Sequence, residues 1–251
     1  MAEKQLSGKR ALVTGASSGL GEHFARLLAE NGADVVVAAR RVERLERLVG
    51  GIAEEFAVDA RALALDVTDS GSVRDAIGEA GDIDILVNNA GVTNSKPALD
   101  QTEEDFDWIV DTNLKGAYLV ALEAARGMRE RGKGGAMVNV ASILGLRQAT
   151  TVLPYAISKA GVVQMTRQLA LELARYEIRV NALAPGYILT DINREFFSQA
   201  AGEKLIKRIP QRRLGQIEDL DGPLLLLVSD ASRYMTGTVI PVDGGHLVSG
   251  L

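Results

Sequence analysis

What most constrains this chain is a repeated switch between two hydrophobic periods. Short aliphatic, often β-branched runs alternate with longer stretches whose apolar residues recur every three or four positions. Residues 11–13 (Ala, Leu, Val) stop at glycines, after which Phe24, Leu27 and Leu28 keep helical spacing until Asn31 and Gly32 close the segment. Residues 35–38 form the next strand-like run, followed by Val42, Leu45, Leu48 and Val49 interleaved with Arg and Glu as an amphipathic helix. Residues 62–65, 83–87, 136–140, 178–183 and 239–242 are further strand candidates, most of them separated by helical stretches. Strands that alternate with helices pair in parallel, because a parallel connection needs a long crossover. The expected fold is therefore α/β, a doubly wound parallel sheet with helices on both faces. At 251 residues the chain can bury one sizeable core, so residues 1–251 are expected to form one domain. Periodicity is weakest between Ile192 and Pro210, which makes residues 191–210 a candidate substrate lid.

Composition removes several functional classes. A formal charge of -5 gives no basic stripe for nucleic acid, and no nucleic-acid partner is expected. The chain has no cysteine, which excludes disulfides and thiolate metal sites and fits a cytoplasmic location. Met1 to Ser7 carry no apolar segment of signal-peptide length, and the strongest apolar run, 224–228, is too short to span a bilayer, so no membrane association is expected. His23 and His246 are the chain's two histidines and lie far apart in sequence, so no catalytic metal is expected.

Three groups of residues point to chemistry. Gly15, Ser17, Ser18, Gly19, Leu20 and Gly21 lie between the first strand and first helix, where glycines let the backbone approach a pyrophosphate at a helix N-terminus. Three residues rather than one separate the first two glycines, so the general dinucleotide fingerprint is not matched literally, and the stretch alone also fits a tight turn. Tyr155 and Lys159 stand four apart in a helical stretch, 155–173, and project from one face. A free tyrosine titrates near ~10, and a neighbouring ammonium is expected to lower that value. Ser142 follows the strand ending at Val140, at the carboxyl end of the sheet where ligands bind, and its hydroxyl can hold a carbonyl oxygen.

With these residues in place the sequence resembles the short-chain dehydrogenase/reductase family over essentially its whole length. The glycine stretch, Asp66 with Val67, the Asn-Asn-Ala-Gly stretch at 88–91, Asn113, Ser142, Tyr155, Lys159, and Pro185 and Gly186 with Thr190 occur in the family's order. The resemblance implies a Rossmann-like oxidoreductase that moves a hydride between a nicotinamide cofactor and a carbonyl or secondary alcohol. It implies Tyr155 as general acid and base, Lys159 as its tuner and as a ribose contact, Ser142 as the carbonyl holder, and Asn113 as support for a water relay. It further implies Asp66 and Val67 at the adenine, Asn89, Ala90 and Gly91 on the adenosine side, Ile188 and Thr190 at the carboxamide, and a homotetramer. The runner-up readings are a 3-oxoacyl-(acyl-carrier-protein) reductase and a non-catalytic cofactor-binding regulator.

The end of the second strand bears on cofactor choice. Ala39 stands where an acid would bind the ribose hydroxyls and repel a phosphate, and Arg40 and Arg41 follow it, so NADP(H) is expected to be preferred while NAD(H) remains usable. The small-molecule pocket is expected to be largely apolar, drawing on Ser142, Leu144, Leu153, Tyr155 and Tyr187. Arg147, Arg194, Lys204, Lys207 and Arg208 are the basic residues that could meet an acidic carrier. Trp108 reads as a packing residue, and Phe196 and Phe197 as aromatics of the candidate lid.

Overall fold

A computed structural model describes residues 4–190 and 197–249. Its strands are β1 (Arg10–Thr14), β2 (Asp34–Ala39), β3 (Ala60–Ala64), β4 (Ile85–Asn88), β5 (Gly135–Val140), β6 (Ile178–Pro185) and β7 (Val239–Val242). Its helices are α1 (Gly19–Glu30), α2 (Val42–Glu55), α3 (Ser70–Ala80), α4 (Glu103–Val110), α5 (Ala117–Arg131), α6 (Leu153–Leu173), α7 (Ala200–Ile206) and α8 (Asp221–Val228).

The strands form one seven-stranded parallel sheet in the order β3-β2-β1-β4-β5-β6-β7. Their near-continuous apolar runs follow from burial on both faces. Val13, Val35 and Val37 pack with Phe24, Leu45 and Leu224 on one side, while Leu12, Val36 and Leu86 pack with Ile77, Val120 and Leu169 on the other. The apolar run at 224–228 is thus explained as part of a short buried helix, α8. Among the described residues no helix is long and apolar enough to cross a membrane.

The order of the sheet reverses between β1 and β4, so the loops leaving their carboxyl ends diverge and open a crevice there. A buried polar ladder holds this point. Thr14 Oγ1 accepts from the backbone N–H groups of Asn89 and Ala90 at 3.0 and 3.1 Å and lies 3.5 Å from Asn88 Oδ1. Asn88 Nδ2 donates to Asn139 Oδ1 at 3.2 Å, and Asn139 Nδ2 to Thr166 Oγ1 at 2.9 Å. Polar side chains at these depths persist only when paired, and here the pairing ties β1, β4 and β5 to α6.

One sequence expectation is corrected. The third strand begins at Ala60 and ends at Ala64 rather than covering 62–65, because its pairing with β2 runs from Val35↔Ala60 to Ala39↔Ala64. Val162, Val163 and Leu169 of α6 are buried within the protomer, and Met165 is partly buried. Helix α6 packs against both β6 and α4, which gives it two covered faces.

Candidate active site

The cofactor end of the site is built by close backbone approach. Gly15 has φ +66°, and a Cβ there would stand 2.8 Å from Ala90 Cα, so only glycine lets the loop lie on residues 89–90. Gly21 is buried beneath it, where a Cβ would meet the Gly15 carbonyl oxygen at 2.5 Å. Ser18, the N-cap of α1, makes no side-chain cap bond among the described residues, which leaves first-turn N–H groups for a ligand. This cradle fits a pyrophosphate at a positive helix end.

A cleft of about 1280 Å3 runs from this loop across the carboxyl ends of the strands. Gly15, Ser17, Ser18, Gly19, Leu20, Arg40 and Arg41 line one end, and Asp66, Val67, Asn89, Ala90 and Gly91 the middle. Ser142, Tyr155, Lys159, Pro185, Gly186, Tyr187, Ile188 and Thr190 line the other end. Asp66 Oδ1 accepts from the Thr68 backbone and hydroxyl at 3.0 and 2.7 Å, and these bonds hold its carboxyl below the usual range. Arg41 Nη2 donates to Ser17 Oγ at 2.9 Å and Ser18 Oγ at 3.3 Å, joining the end of β2 to the glycine loop.

At the chemical end, Ser142 caps a short turn and accepts from the Leu144 N–H at 3.1 Å. That turn lies hard against α6, since a Cβ on Gly145 would stand 2.7 Å from the Lys159 carbonyl oxygen. Ser142 and Tyr155 line the same end of the cleft, and the Ser142 hydroxyl acts on the Tyr155 phenol. Lys159 Nζ lies 5.7 Å from the Tyr155 ring centroid and donates to the Val140 carbonyl at 2.7 Å. Burial pushes the Tyr155 hydroxyl upward, with Ser142 opposing it, and burial lowers Lys159 to about 8. The expected lowering of the tyrosine by the ammonium is therefore corrected: Lys159 is turned to a backbone carbonyl, and desolvation governs the phenol.

Asn113 does not line the cleft. It lies in a π-turn, Asp111–Gly116, between α4 and α5, where Nδ2 donates to the Val92 carbonyl at 2.8 Å and to Ser158 Oγ at 3.1 Å, and Oδ1 accepts from the Val92 N–H at 2.7 Å. A π-turn is frequently a functional device, and this one pins the loop after Asn88 to α6. Leu144 and Leu153 also fall outside the lining, and Leu153 is exposed at the start of α6.

Other residues differ from their sequence reading. Trp108, read as packing, is about half exposed and lines the cleft together with Thr112 one turn later. Their spacing on one helix face, running into the π-turn, was the available signal. Of the candidate lid, residues 191–196, which include Arg194 and Phe196, lie outside the described residues. Phe197 is buried with Ile209 and Leu214 and meets Tyr187 edge-on, with ring centroids 5.9 Å apart. His23 pairs with Asp221 at the start of α8 at 2.5 Å. Arg26, Arg44 and Arg47 extend the lining at the Arg41 end and were not singled out, because charged positions on amphipathic helices read as solvated faces.

A pyrophosphate cradle at one end of a cleft and a phenol grouped with a serine and a buried lysine at the other suit hydride exchange with a carbonyl, the work of nicotinamide-dependent oxidoreductases. A family model described as enoyl-(acyl carrier protein) reductase matches residues 15–246. The chain is 40% identical over 252 residues to L-rhamnose 1-dehydrogenase (NAD(P)(+)) of Azotobacter vinelandii, covering 97% of this chain and 98% of that protein. It is 39% identical over 248 residues to a 3-oxoacyl-[acyl-carrier-protein] reductase of Thermotoga maritima, with 97% and 100% covered. Its structure matches the crystal structure of a gluconate 5-dehydrogenase from Burkholderia cenocepacia J2315 in complex with NADP and tartrate, with a TM-score of 0.94, 37% identity, and 99% and 98% covered. The chain belongs to the short-chain dehydrogenase/reductase family and is an NAD(P)(H)-dependent oxidoreductase of carbonyl and alcohol substrates.

Proposed function

We propose that Tyr155 is the general acid when a carbonyl is reduced and the general base when the alcohol is oxidised. The observation that carries this is that Ser142, Tyr155 and a buried Lys159 line the same end of the cleft. The nicotinamide, when bound, supplies or accepts the hydride. Ser142 orients the carbonyl oxygen, and Tyr155, whose raised value keeps its proton at neutral pH, delivers that proton to the oxygen. Lys159, near 8, can hold or release a proton close to working pH and is placed to meet the ribose. Asn113 acts as a positioning residue and supports the water relay. Ile188 and Thr190, which line the cleft, meet the carboxamide in this reading. A turnover screen with both nicotinamide cofactors against ketones, sugars, steroids, acyl thioesters and a carrier-bound acyl substrate tests the assignment. Absence of turnover on every one would overturn it and favour a cofactor-binding regulator.

NADP(H) is the preferred cofactor in this reading, with NAD(H) usable. β2 ends at Ala39 without an acid, and Arg41 already stands at the glycine loop with a planar fork suited to a phosphate. Arg40 lies beside it, and its charge acts on Asp66. Arg41→Ala and Arg40→Ala are both expected to lower the NADPH-to-NADH ratio of kcat/KM, Arg41→Ala by about ten- to a hundredfold. A parent that favours NADH, or a ratio indifferent to both arginines, sinks the preference.

The carrier-protein reductase is the second reading, favoured by the Thermotoga maritima relative and by exposed Lys204, Lys207 and Arg208 around α7. Against it, Arg147 is bonded to the C-terminal segment. A cytoplasmic homotetramer completes the proposal, with α6 and residues 239–248 in its contacts. Exposed Ile157, Leu171 and Val248 support those surfaces. Sedimentation at micromolar concentration is expected to give a tetramer, and a monomer would refute it.

A further inference from the structure

One buried hydroxyl of α6 lies between the proton-transfer groups and belongs to none of them. Ser158 stands three residues after Tyr155 and one before Lys159, and it is fully buried. Its Oγ donates to the Tyr155 carbonyl oxygen at 2.7 Å and accepts from Asn113 Nδ2 at 3.1 Å. Chemistry fixes the direction of both bonds. The Val92 N–H can only donate and the Val92 carbonyl can only accept, so the Asn113 oxygen faces the first and its amide nitrogen the second. The other N–H of that amide goes to Ser158, whose single proton is left for the Tyr155 carbonyl.

That carbonyl is the one the helical ladder offers to the backbone N–H of Lys159. A serine that bonds back onto its own helix competes with the ladder and bends the helix, so Ser158 acts on the turn whose two ends carry the phenol and the ammonium. The surroundings leave this turn little room. A Cβ on Gly161, three residues further along α6, would stand 2.6 Å from Leu114 Cδ2, so α6 lies hard against the π-turn that holds Asn113. A Cβ on Gly91 would stand 3.3 Å from Asn113 Oδ1 and 3.6 Å from Lys159 Nζ, which places the carboxamide and the ammonium against one loop residue. Without the hydroxyl, an Asn113 N–H loses its partner where the side chain is 1% exposed, and the turn is released to relax.

We propose that Ser158 is a positioning residue for proton transfer: its hydroxyl couples the Asn113 amide to the turn of α6 that sets the spacing of Tyr155 and Lys159. The inference rests on the reading that Tyr155 is the general acid. Ser158 does not line the cleft, so its effect is carried by alignment alone.

The test compares Ser158→Ala and Ser158→Cys with the parent and with Tyr155→Phe, using NADPH and the carbonyl that the parent reduces fastest in the turnover screen. Alanine removes the hydroxyl and raises helix propensity, whereas cysteine keeps a weak donor. Ser158→Ala is expected to lower kcat about ten- to a hundredfold, the range that a misplacement of about 1 Å produces. KM for the carbonyl and the Kd of NADPH, read by fluorescence titration, should change little, and Ser158→Cys should fall between alanine and the parent. Because the slowed step is the proton's, the solvent deuterium isotope effect on kcat should be at least as large as the parent's. A merely structural serine would instead lower the melting temperature and leave the kcat of folded protein intact, which overturns the proposal. So does a loss confined to KM, or a slowed variant whose isotope effect disappears. If Ser158→Ala does not fold, Ser158→Cys carries the same comparison, and failure of both to fold marks the hydroxyl as structural and overturns the proposal. Slow Tyr155→Phe beside near-parent Ser158→Ala removes the role of the serine alone. Near-parent turnover by Tyr155→Phe, or no turnover of any carbonyl by the parent, overturns both readings.

Discussion

Tyr155→Phe is expected to fold and bind NADPH like the parent while turning over a carbonyl substrate about 10²–10⁴-fold more slowly. The substitution keeps the ring at the start of α6 and removes only the hydroxyl. Because burial holds the phenol in its protonated form, the parent carries a transferable proton at neutral pH, and the variant has none to give. Steady-state turnover measured beside a fluorescence titration of NADPH checks both halves. Near-parent turnover, or a loss explained by lost cofactor binding, would remove Tyr155 from the proton-transfer role.

The second large effect should separate activity from stability. Lys159→Met places an apolar chain of similar length where the structure buries an ammonium on a single carbonyl oxygen, that of Val140. Replacing a poorly compensated buried charge is often neutral or stabilising, so the variant is expected to gain up to about 1–3 kcal/mol at pH 7. Turnover should fall on the order of a hundredfold or more, with a higher KM for cofactor, because the proton reservoir and the ribose contact are both lost. Stability also acquires a pH signature. The folded value of Lys159, about 8, lies below the ordinary 10.5, so between those values the unfolded chain binds more protons than the folded one. Parent stability therefore rises with pH through that window, by at most about 3 kcal/mol, and the variant loses this rise. Denaturant melts from pH 7 to 10 provide the check; a variant less stable than the parent at pH 7, or equally active, contradicts the account.

The frame of the molecule was legible because hydrophobic period and glycine placement act locally. The strand runs, the turn at Gly15 and the Tyr155–Lys159 helix face all follow from spacings within a few residues. Relations formed across the sheet were not legible. That Arg41, rather than Arg40, bonds Ser17 and Ser18 depends on how the start of α2 meets the glycine loop. That Lys159 turns to the Val140 carbonyl depends on the depth at which α6 lies against β5, set partly by Gly145. The π-turn at Asp111–Gly116 has no periodic signature, since one extra residue in a turn leaves the apolar spacing on either side intact. Leu144 and Leu153 lie close to Ser142 and Tyr155 in sequence yet outside the cleft lining, because adjacency in sequence does not fix which wall of a cleft a side chain joins.

The ladder from Thr14 through Asn88 and Asn139 to Thr166 has a consequence for how chains of this kind diversify. It fastens the cofactor floor and the proton-transfer helix to each other beneath the cleft, with each rung buried. Under the proposed function the cleft wall beyond this floor, Tyr187, Ile188 and Thr190, instead sits in the segment leaving β6. Selectivity and chemistry are there held on separate parts of the chain, and a library that varies this wall, while leaving the rungs alone, can explore new substrates without losing the alignment on which hydride transfer depends.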